Sequence, residues 1–168
     1  VLAMAEQFRK VIAPVLETDN GAHGLSPHQL ITLASIIEKE TGLETERSLI
    51  SAVFHNRLKL GMPLQSDPTV IYGLTDFQGD LTRKSLRDSS PYNTYRTSGL
   101  PPGPICNPGL SSIKAALQPA DVPFLYFVSK NDGSHQFSES LEAHNRAVKT
   151  YQPLASPAPQ KKTVARKR

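Results

Sequence analysis

The 168-residue chain has a single cysteine and no long apolar run. One thiol, at Cys106, excludes an internal disulfide and a cysteine-based metal cluster. No apolar run approaches the roughly 20 residues that a membrane-spanning helix needs, so we expect no membrane span in this sequence. The first residues also lack a charged region followed by a cleavage pattern, and we predict no signal peptide there.

Acidic residues are missing from the end of the chain, and this explains its net charge of +4. Residues 152–168 contain five basic residues and no acid, so the remainder is close to neutral. A basic protein often binds nucleic acid or an anionic membrane, but here the charge lies in a proline-rich segment. We therefore predict no nucleic-acid partner. We expect one domain over residues 1–152 and a disordered basic tail over 153–168.

Motifs of several common catalytic and cofactor sites are absent as well. The sequence has no glycine-rich phosphate loop, and no pair of cysteines or histidines has metal-ligand spacing. A serine-hydrolase elbow of the form Gly-x-Ser-x-Gly is also missing. The sequence therefore predicts neither a cofactor nor a metal. Its five histidines are widely spaced, and we interpret them as structural or exposed.

Apolar periodicity and capping signals predict a mostly helical α+β domain with one small hairpin. Ser26 and Gln29 predict a capping box at the start of a helix that continues to residue 40, where Gly42 is expected to end it. The irregular segment 89–110 is long for a compact domain, which is usual for functional loops. We also expect a helix over 3–17 broken near Pro14, helices over 45–60, 111–118 and 140–151, short helices after Asp67-Pro68 and over 82–88, and a hairpin of 124–129 and 135–138.

Glu38 and Glu40 lie near the end of the second predicted helix. Steps of about 100° per residue place Glu40 beside Ile37, on the face expected to be buried. An apolar setting and the negative end of the helix dipole both raise the pKa of a carboxylic acid, as a general acid near neutral pH requires. A surface glutamate paired with Lys39 or Arg47 would explain the same pattern. Glu38, at the edge of the apolar arc, is the alternative candidate.

Ordered blocks of the sequence match a known family. They are 33–42 (LASIIEKETG), 54–58 (FHNRL), 61–72 (GMPLQSDPTVIY), 92–95 (YNTY), 99–109 (GLPPGPICNPG), 124–128 (FLYFV), 135–137 (HQF) and 144–145 (HN). Over about residues 27–151 the chain thus resembles the MltG/YceG-like endolytic murein transglycosylases. The number and order of the blocks argue against a chance agreement.

The resemblance implies an enzyme with a mostly helical, lysozyme-like catalytic domain. It implies that one glutamate cleaves the β-1,4 bond between MurNAc and GlcNAc in peptidoglycan, first as general acid and then as general base. The muramoyl C6 hydroxyl then attacks C1, so the product ends in 1,6-anhydroMurNAc and no water is consumed. The family motif aligns better with Glu40 than with Glu38.

The matching blocks also imply supporting and substrate-binding residues. Asn56 is expected either to orient Glu40 or to cap a buried backbone group. Asp67 is expected to cap a helix, with a catalytic role as the alternative, and Arg57 to form a solvated salt bridge. The substrate-binding residues predicted from the motif match are Gln65, Asn93, Tyr95 and Asn107.

Two other functions stay open from the sequence alone. A water-using muramidase would need a second carboxylate, for which Asp67 is the candidate. A peptidoglycan-binding module would need no catalysis. The resemblance implies glycan strands as partner, and cell-wall synthases as partners of a longer protein. It also implies that the longer protein is anchored at the extracytoplasmic (periplasmic) face of the bacterial inner membrane, and that this chain is its soluble catalytic fragment.

Overall fold

The computed structural model describes residues 2–17 and 24–153. This part of the chain is mostly helical, with one two-stranded antiparallel sheet, and the predicted α+β class is confirmed. The likeness to lysozyme stays a prediction. The elements are α1 Leu2–Val11, α2 Ala13–Glu17, α3 Pro27–Glu40, α4 Arg47–Lys59, α5 Asp67–Gly73, α6 Leu110–Leu117, β1 Tyr126–Ser129, β2 His135–Ser138 and α7 Leu141–Tyr151, with 3₁₀ turns at Glu44–Glu46 and Ser85–Arg87.

Helix α3 forms the centre of the core. The predicted capping box starts it: the backbone N–H of Gln29 donates to Ser26 Oγ at 3.3 Å, and the N–H of Ser26 donates to Gln29 Oε1 at 2.8 Å. Leu33, Ile36 and Ile37 have no exposed surface, and each contributes about 1.5–3 kcal/mol by burial. The helix packs against α4, α5 and α6, and these contacts fix the position of its last residue, Glu40.

The hairpin and α7 form a second layer beside this core. Strands β1 and β2 pair in the register Tyr126 to Ser138, and the turn between them places Asn131 in the left-handed region at φ 64°. The ring of Phe127 meets Phe54 of α4 edge to face at 6.0 Å. Helix α7 packs on both strands. A cleft lies where this layer faces the end of α3.

Several local predictions need correction. Gly42 does not end α3 in a left-handed conformation, because Thr41 turns the chain into an extended conformation at φ −144° and accepts a hydrogen bond from Arg47 at 2.8 Å. The break in the first helix falls at Ile12, since Pro14 fits in the first turn of α2. The first turn of the helix expected over 45–60 is a 3₁₀ turn.

Two predicted segments lie mostly outside the described residues. They are the loop over 18–25, of which residues 24 and 25 are described, and the basic tail, of which only residue 153 is described. The long loop is irregular over 89–109, as predicted, and Leu110 already begins α6. No described helix is both long enough and apolar enough to cross a membrane.

Candidate active site

Glu40 lies in a cleft of about 430 Å³ between the helical core and the hairpin layer. One wall is formed by the end of α3 and by Leu64, Gln65 and Asp67, with Tyr95 beside them. The other wall is formed by the hairpin and by His144 and Val148 of α7. The lining contains both polar and apolar side chains, which suits a ligand that is both hydroxylated and apolar on its faces.

Burial raises the pKa of the Glu40 carboxyl to about 7. A hydrogen bond from Ser66 Oγ to Glu40 Oε1, 2.5 Å long, opposes this effect because it favours the charged form. The negative charge of Asp67 raises the pKa further, whereas electrostatic interactions with His135 and Arg57 lower it. The balance leaves Glu40 able both to donate and to accept a proton near neutral pH.

Buried hydroxyl groups fix Ser66 beneath Glu40. The N–H of Ser66 donates to Thr94 Oγ1 at 3.0 Å, and Thr69 Oγ1 donates to the carbonyl of Ser66 at 2.7 Å. The hydroxyls of Thr69 and Thr94 are 2.8 Å apart. Ser66 occupies the N-cap position of α5, yet its side chain does not cap that helix. Its hydroxyl therefore serves Glu40 instead, a role that the sequence did not indicate.

Gln65 lines the cleft, as expected of a substrate-binding residue. Its backbone is left-handed at φ 53°, which is rare for a side chain of this kind and typical of functional sites. The N–H of Gln65 donates to the carbonyl of Thr94 at 3.0 Å. Its side-chain oxygen accepts from Arg57 at 3.3 Å, while the residue as a whole is exposed to solvent.

Arg57 is buried, and its prediction as a solvated salt-bridge partner is wrong. Its guanidinium donates to the carbonyls of Leu125 at 2.7 Å, Leu64 at 2.8 Å and Pro63 at 3.2 Å. The same group lies 5.2 Å from the ring centre of Tyr126. Burial lowers the pKa of Arg57, but no carboxylate pairs with it directly among these contacts. The residue joins α4 to both walls of the cleft.

Asp67 and Tyr95 form a hydrogen-bonded pair in the cleft. The hydroxyl of Tyr95 donates to Asp67 Oδ1 at 2.6 Å. Burial and then this bond to Asp67 raise the pKa of the Tyr95 hydroxyl well above its usual range. Asp67 is the first residue of α5, and its carboxylate does not cap the helix. The capping interpretation is wrong, and Asp67 is a second carboxylate in the cleft.

Two predicted substrate-binding residues do not reach the cleft. Asn93 is fully buried, and its amide donates to the carbonyls of Leu86 at 3.2 Å and Asp88 at 2.8 Å. Its side-chain oxygen accepts from the N–H of Tyr95 at 3.0 Å. Asn93 thus shapes the loop and has no surface for a ligand. Asn107 is exposed on the long loop and does not line the cleft.

Asn56 caps backbone groups, the second of its two predicted roles. Its amide donates to the carbonyls of Val122 and Phe124, each at 2.9 Å. These contacts fix the chain that leads into β1. Asn56 lies outside the lining of the cleft and does not orient Glu40.

Glu38 differs from Glu40 in every respect that matters for acid catalysis. Its Oε2 accepts from Ser112 Oγ at 2.6 Å and from the N–H of Gly109 at 3.1 Å. The Ser112 hydrogen bond lowers the pKa of Glu38, so the side chain is a fixed anion. It ties α3 to the start of α6 and does not line the cleft.

His135 also lines the cleft and was not predicted as a site residue. Its Nδ1 lies 2.7 Å from Glu46 Oε2, and its backbone N–H donates to Glu46 Oε1 at 2.9 Å. These partners are far apart in the chain, so no local pattern could reveal them. Within residues 2–17 and 24–153, no group of three histidine, cysteine, aspartate or glutamate side chains could hold a metal ion.

The chain is similar to a known family and to named bacterial proteins. The sequence pattern described as the YceG-like family matches residues 1–150. The endolytic murein transglycosylase of Bacillus subtilis is 46% identical over 127 residues, which are 76% of this chain and 35% of that protein. The protein of the same name from Streptococcus pneumoniae (strain D39) is 37% identical over 155 residues, which are 86% of this chain and 27% of that protein.

A solved structure shares the fold. A crystal structure of a yceG-like protein from Listeria monocytogenes superposes with a TM-score of 0.77 and 42% identity, covering 86% of this chain and 46% of that one. The chain therefore spans about half or less of the length of the relatives that it matches. The match to nearly the whole chain shows that it belongs to the YceG-like family.

Proposed function

We propose that this chain is the catalytic part of an endolytic murein transglycosylase that acts on the glycan strands of peptidoglycan. The observation that carries the proposal is Glu40, a carboxylic acid with a pKa of about 7 in a polar cleft. The names of the two curated relatives support the substrate class. Glu40 is preferred to Glu38 because Glu38 is held as an anion outside the cleft.

In the first step, neutral Glu40 donates its proton to the glycosidic oxygen between MurNAc C1 and GlcNAc C4. The C1–O bond breaks, GlcNAc leaves with a free C4 hydroxyl, and positive charge develops at C1. Asp67 and the newly formed Glu40 carboxylate both line the cleft, and their negative charges stabilise this state.

In the second step, the Glu40 carboxylate removes the proton of the muramoyl C6 hydroxyl. The oxygen then bonds to C1 and closes a 1,6-anhydro ring, which returns Glu40 to its neutral form. Ser66 donates to Glu40 Oε1 and stabilises the carboxylate between the two steps. One residue thus serves as acid and base, and no water enters the reaction.

A water-using muramidase is the second candidate, because Asp67 is a second carboxylate in the cleft. In that reaction Asp67 would act on water or on C1. Its hydrogen bond from Tyr95 at 2.6 Å favours a fixed anion over a general base. The two candidates differ in product, because transglycosylation leaves anhydro ends that are lighter by one water.

The cellular setting follows from the substrate and is part of the proposal. Murein lies outside the cytoplasmic membrane, so a longer protein containing this chain would act at the extracytoplasmic face of that membrane. Enzymes that synthesise glycan strands are its proposed partners, since they supply the strands that it would cut.

The test compares Glu40→Gln with Glu38→Gln on purified peptidoglycan, with products identified by mass spectrometry. We expect the parent chain to release anhydroMurNAc ends and Glu40→Gln to be at least about 100-fold slower. Glu38→Gln keeps an oxygen that can accept from Ser112 and Gly109, so it should cleave at the parent rate. Reducing ends in place of anhydro ends would establish the muramidase. Full activity in Glu40→Gln would exclude Glu40 as the acid.

A further inference from the structure

Glu46 and His135 form a buried pair at the edge of the cleft. Glu46 lies on the 3₁₀ turn between α3 and α4 and is 8% exposed. One of its oxygens accepts from the backbone N–H of His135, and the other lies 2.7 Å from Nδ1 of the same residue. A largely buried carboxylate needs such partners. One oxygen of Glu46 thus holds the imidazole of His135, and the other holds its backbone.

The partner of Nδ1 determines which nitrogen of the neutral ring is free. Because a carboxylate oxygen can only accept, Nδ1 carries the proton, and Nε2 keeps its lone pair. Nε2 of His135 makes no hydrogen bond to any of the residues described by the structure. The ring itself lines the cleft that contains Glu40.

Aromatic neighbours fix the plane of the imidazole. The ring of Phe127 meets it edge to face at 5.4 Å, and the ring of Phe137 lies 6.4 Å away. The imidazole therefore cannot swing out of the cleft wall without losing both contacts and the bond to Glu46. Because the acceptor is already ordered, little conformational entropy of the side chain is lost when a ligand binds to it.

We infer that His135, oriented by Glu46, binds substrate by accepting a hydrogen bond from a glycan hydroxyl at Nε2. The inference rests on the proposed function, which places a glycan in the cleft. A hydroxyl is the fitting donor, because glycans carry many hydroxyls and the neutral Nε2 can only accept. Glu46 acts through His135 and is a positioning residue.

Three substitutions separate this role from a purely structural one. His135→Asn keeps an amide near the position of Nδ1, and thus the bond to Glu46, but removes Nε2. Glu46→Gln keeps the imidazole, but its side-chain amide can donate to Nδ1, so that Nε2 carries the proton and becomes a donor. The control is His28→Asn, on an exposed residue of α3 outside the cleft.

Binding is measured with a peptide-free MurNAc–GlcNAc oligosaccharide in a Glu40→Gln background, where we expect turnover to be at least about 100-fold slower. We expect His135→Asn and Glu46→Gln to weaken binding about tenfold, and His28→Asn to leave it unchanged. In the parent background, the same two substitutions should raise KM more than they lower kcat. Thermal unfolding of each variant reports any loss of stability separately from the loss of affinity.

Nitrogen NMR of the imidazole gives a direct readout. We expect the Nε2 resonance of His135 to move when the oligosaccharide is added, while Nδ1 changes little. An unmoved Nε2 resonance at saturation, or His135→Asn binding within twofold of its parent, would overturn the inference. If the Nε2 resonance moves but the parent chain releases no anhydro ends, the proposed reaction is rejected and the binding role of His135 stands.

Discussion

At the scale of single residues, the raised pKa of Glu40 bears both on its proposed catalytic role and on the stability of the fold. Its pKa is about 7 in the folded chain, against an ordinary value of 4.5. The folded state therefore holds a proton that the unfolded chain has released, and stability falls as pH rises from the ordinary value to the folded one. We expect Glu40→Gln to remove this loss, so that it is up to about 3 kcal/mol more stable than the parent above the folded pKa.

Urea unfolding at about pH 4 and about pH 8 measures this difference. Glu40→Gln and the parent should be similar at the lower pH and diverge at the higher one. Glu38 is the matched control with the opposite sign, because its folded pKa is lowered by the bond from Ser112. The contribution of Glu38 to the free energy of unfolding is present above its unfolded pKa and is lost as pH falls through the folded pKa. If the free energies of unfolding of Glu40→Gln and the parent changed equally with pH, the pKa of Glu40 would not be raised in the folded chain.

Ser66 offers a second test of the charge balance at Glu40. Its hydroxyl favours the Glu40 carboxylate, so Ser66→Ala should raise the pKa of Glu40 and move the alkaline limb of the pH–rate profile upward. The first step should slow, because the carboxylate that forms when Glu40 gives up its proton is no longer stabilised. Ser112→Ala, which removes the same kind of hydroxyl from Glu38, should leave the profile in place. A pH–rate profile that does not move in Ser66→Ala would show that this hydroxyl does not control the pKa of the acid.

At the scale of elements, Arg57 holds together the segments that form the cleft. It joins α4 to the chain before β1 and to the carbonyls of Pro63 and Leu64, next to the strained Gln65. Removing the guanidinium leaves these buried carbonyls without a donor. We expect Arg57→Ala to lower the free energy of unfolding by about 2–3 kcal/mol, and Arg57→Lys to restore only part of it.

Denaturant unfolding gives the magnitude, and Arg146→Ala is the control. Arg146 pairs with Glu142 on the exposed face of α7, where an ion pair contributes about 0.5 kcal/mol or less. A similar loss in both arginine variants would mean that Arg57 does not organise these segments.

The elements that local signals specify were predicted correctly. The capping box of Ser26, the short helix that opens at Asp67 and the turn at Asn131 each depend on residues that are adjacent in the chain. Helical periodicity also placed Glu40 on the apolar face of α3, since the angle between residues is a property of the helix alone. Boundaries were predicted less accurately, as at Thr41, where a contact with Arg47 from beyond the helix helps to set the helix end.

The residues that surround Glu40 could not be predicted in the same way. The bond from Ser66 spans 26 positions and the pairing of Glu46 with His135 spans 89, so neither leaves a periodic signal. Asn93 illustrates a different error, because the sequence predicted a substrate-binding role for a residue that does not reach the cleft. An amide in a polar loop is equally suited to bind a sugar or a backbone carbonyl, and only the packing decides between them. The structure shows that Asn93 binds backbone carbonyls.

At the scale of the whole molecule, the cleft separates two parts of unequal packing. Helix α3 is buried along most of its length, whereas α7 has no buried residue and packs mainly on the hairpin. Regions with few buried apolar contacts open at lower free energy than the core. The wall that carries His144 and Val148 should therefore open more readily than the wall that carries Glu40.

Native-state hydrogen exchange tests this difference and the place of the ligand together. We expect the amides of α7 to exchange through a local opening, and those of α3 only through global unfolding. A MurNAc–GlcNAc oligosaccharide that contacts both walls must be released before α7 opens. At about 100 times its Kd it should slow exchange in α7 by about 100-fold, in a Glu40→Gln chain that cannot cut it. Protection confined to the α3 side would show that the glycan lies on one wall only, and equal exchange in both helices without ligand would refute the two-part description.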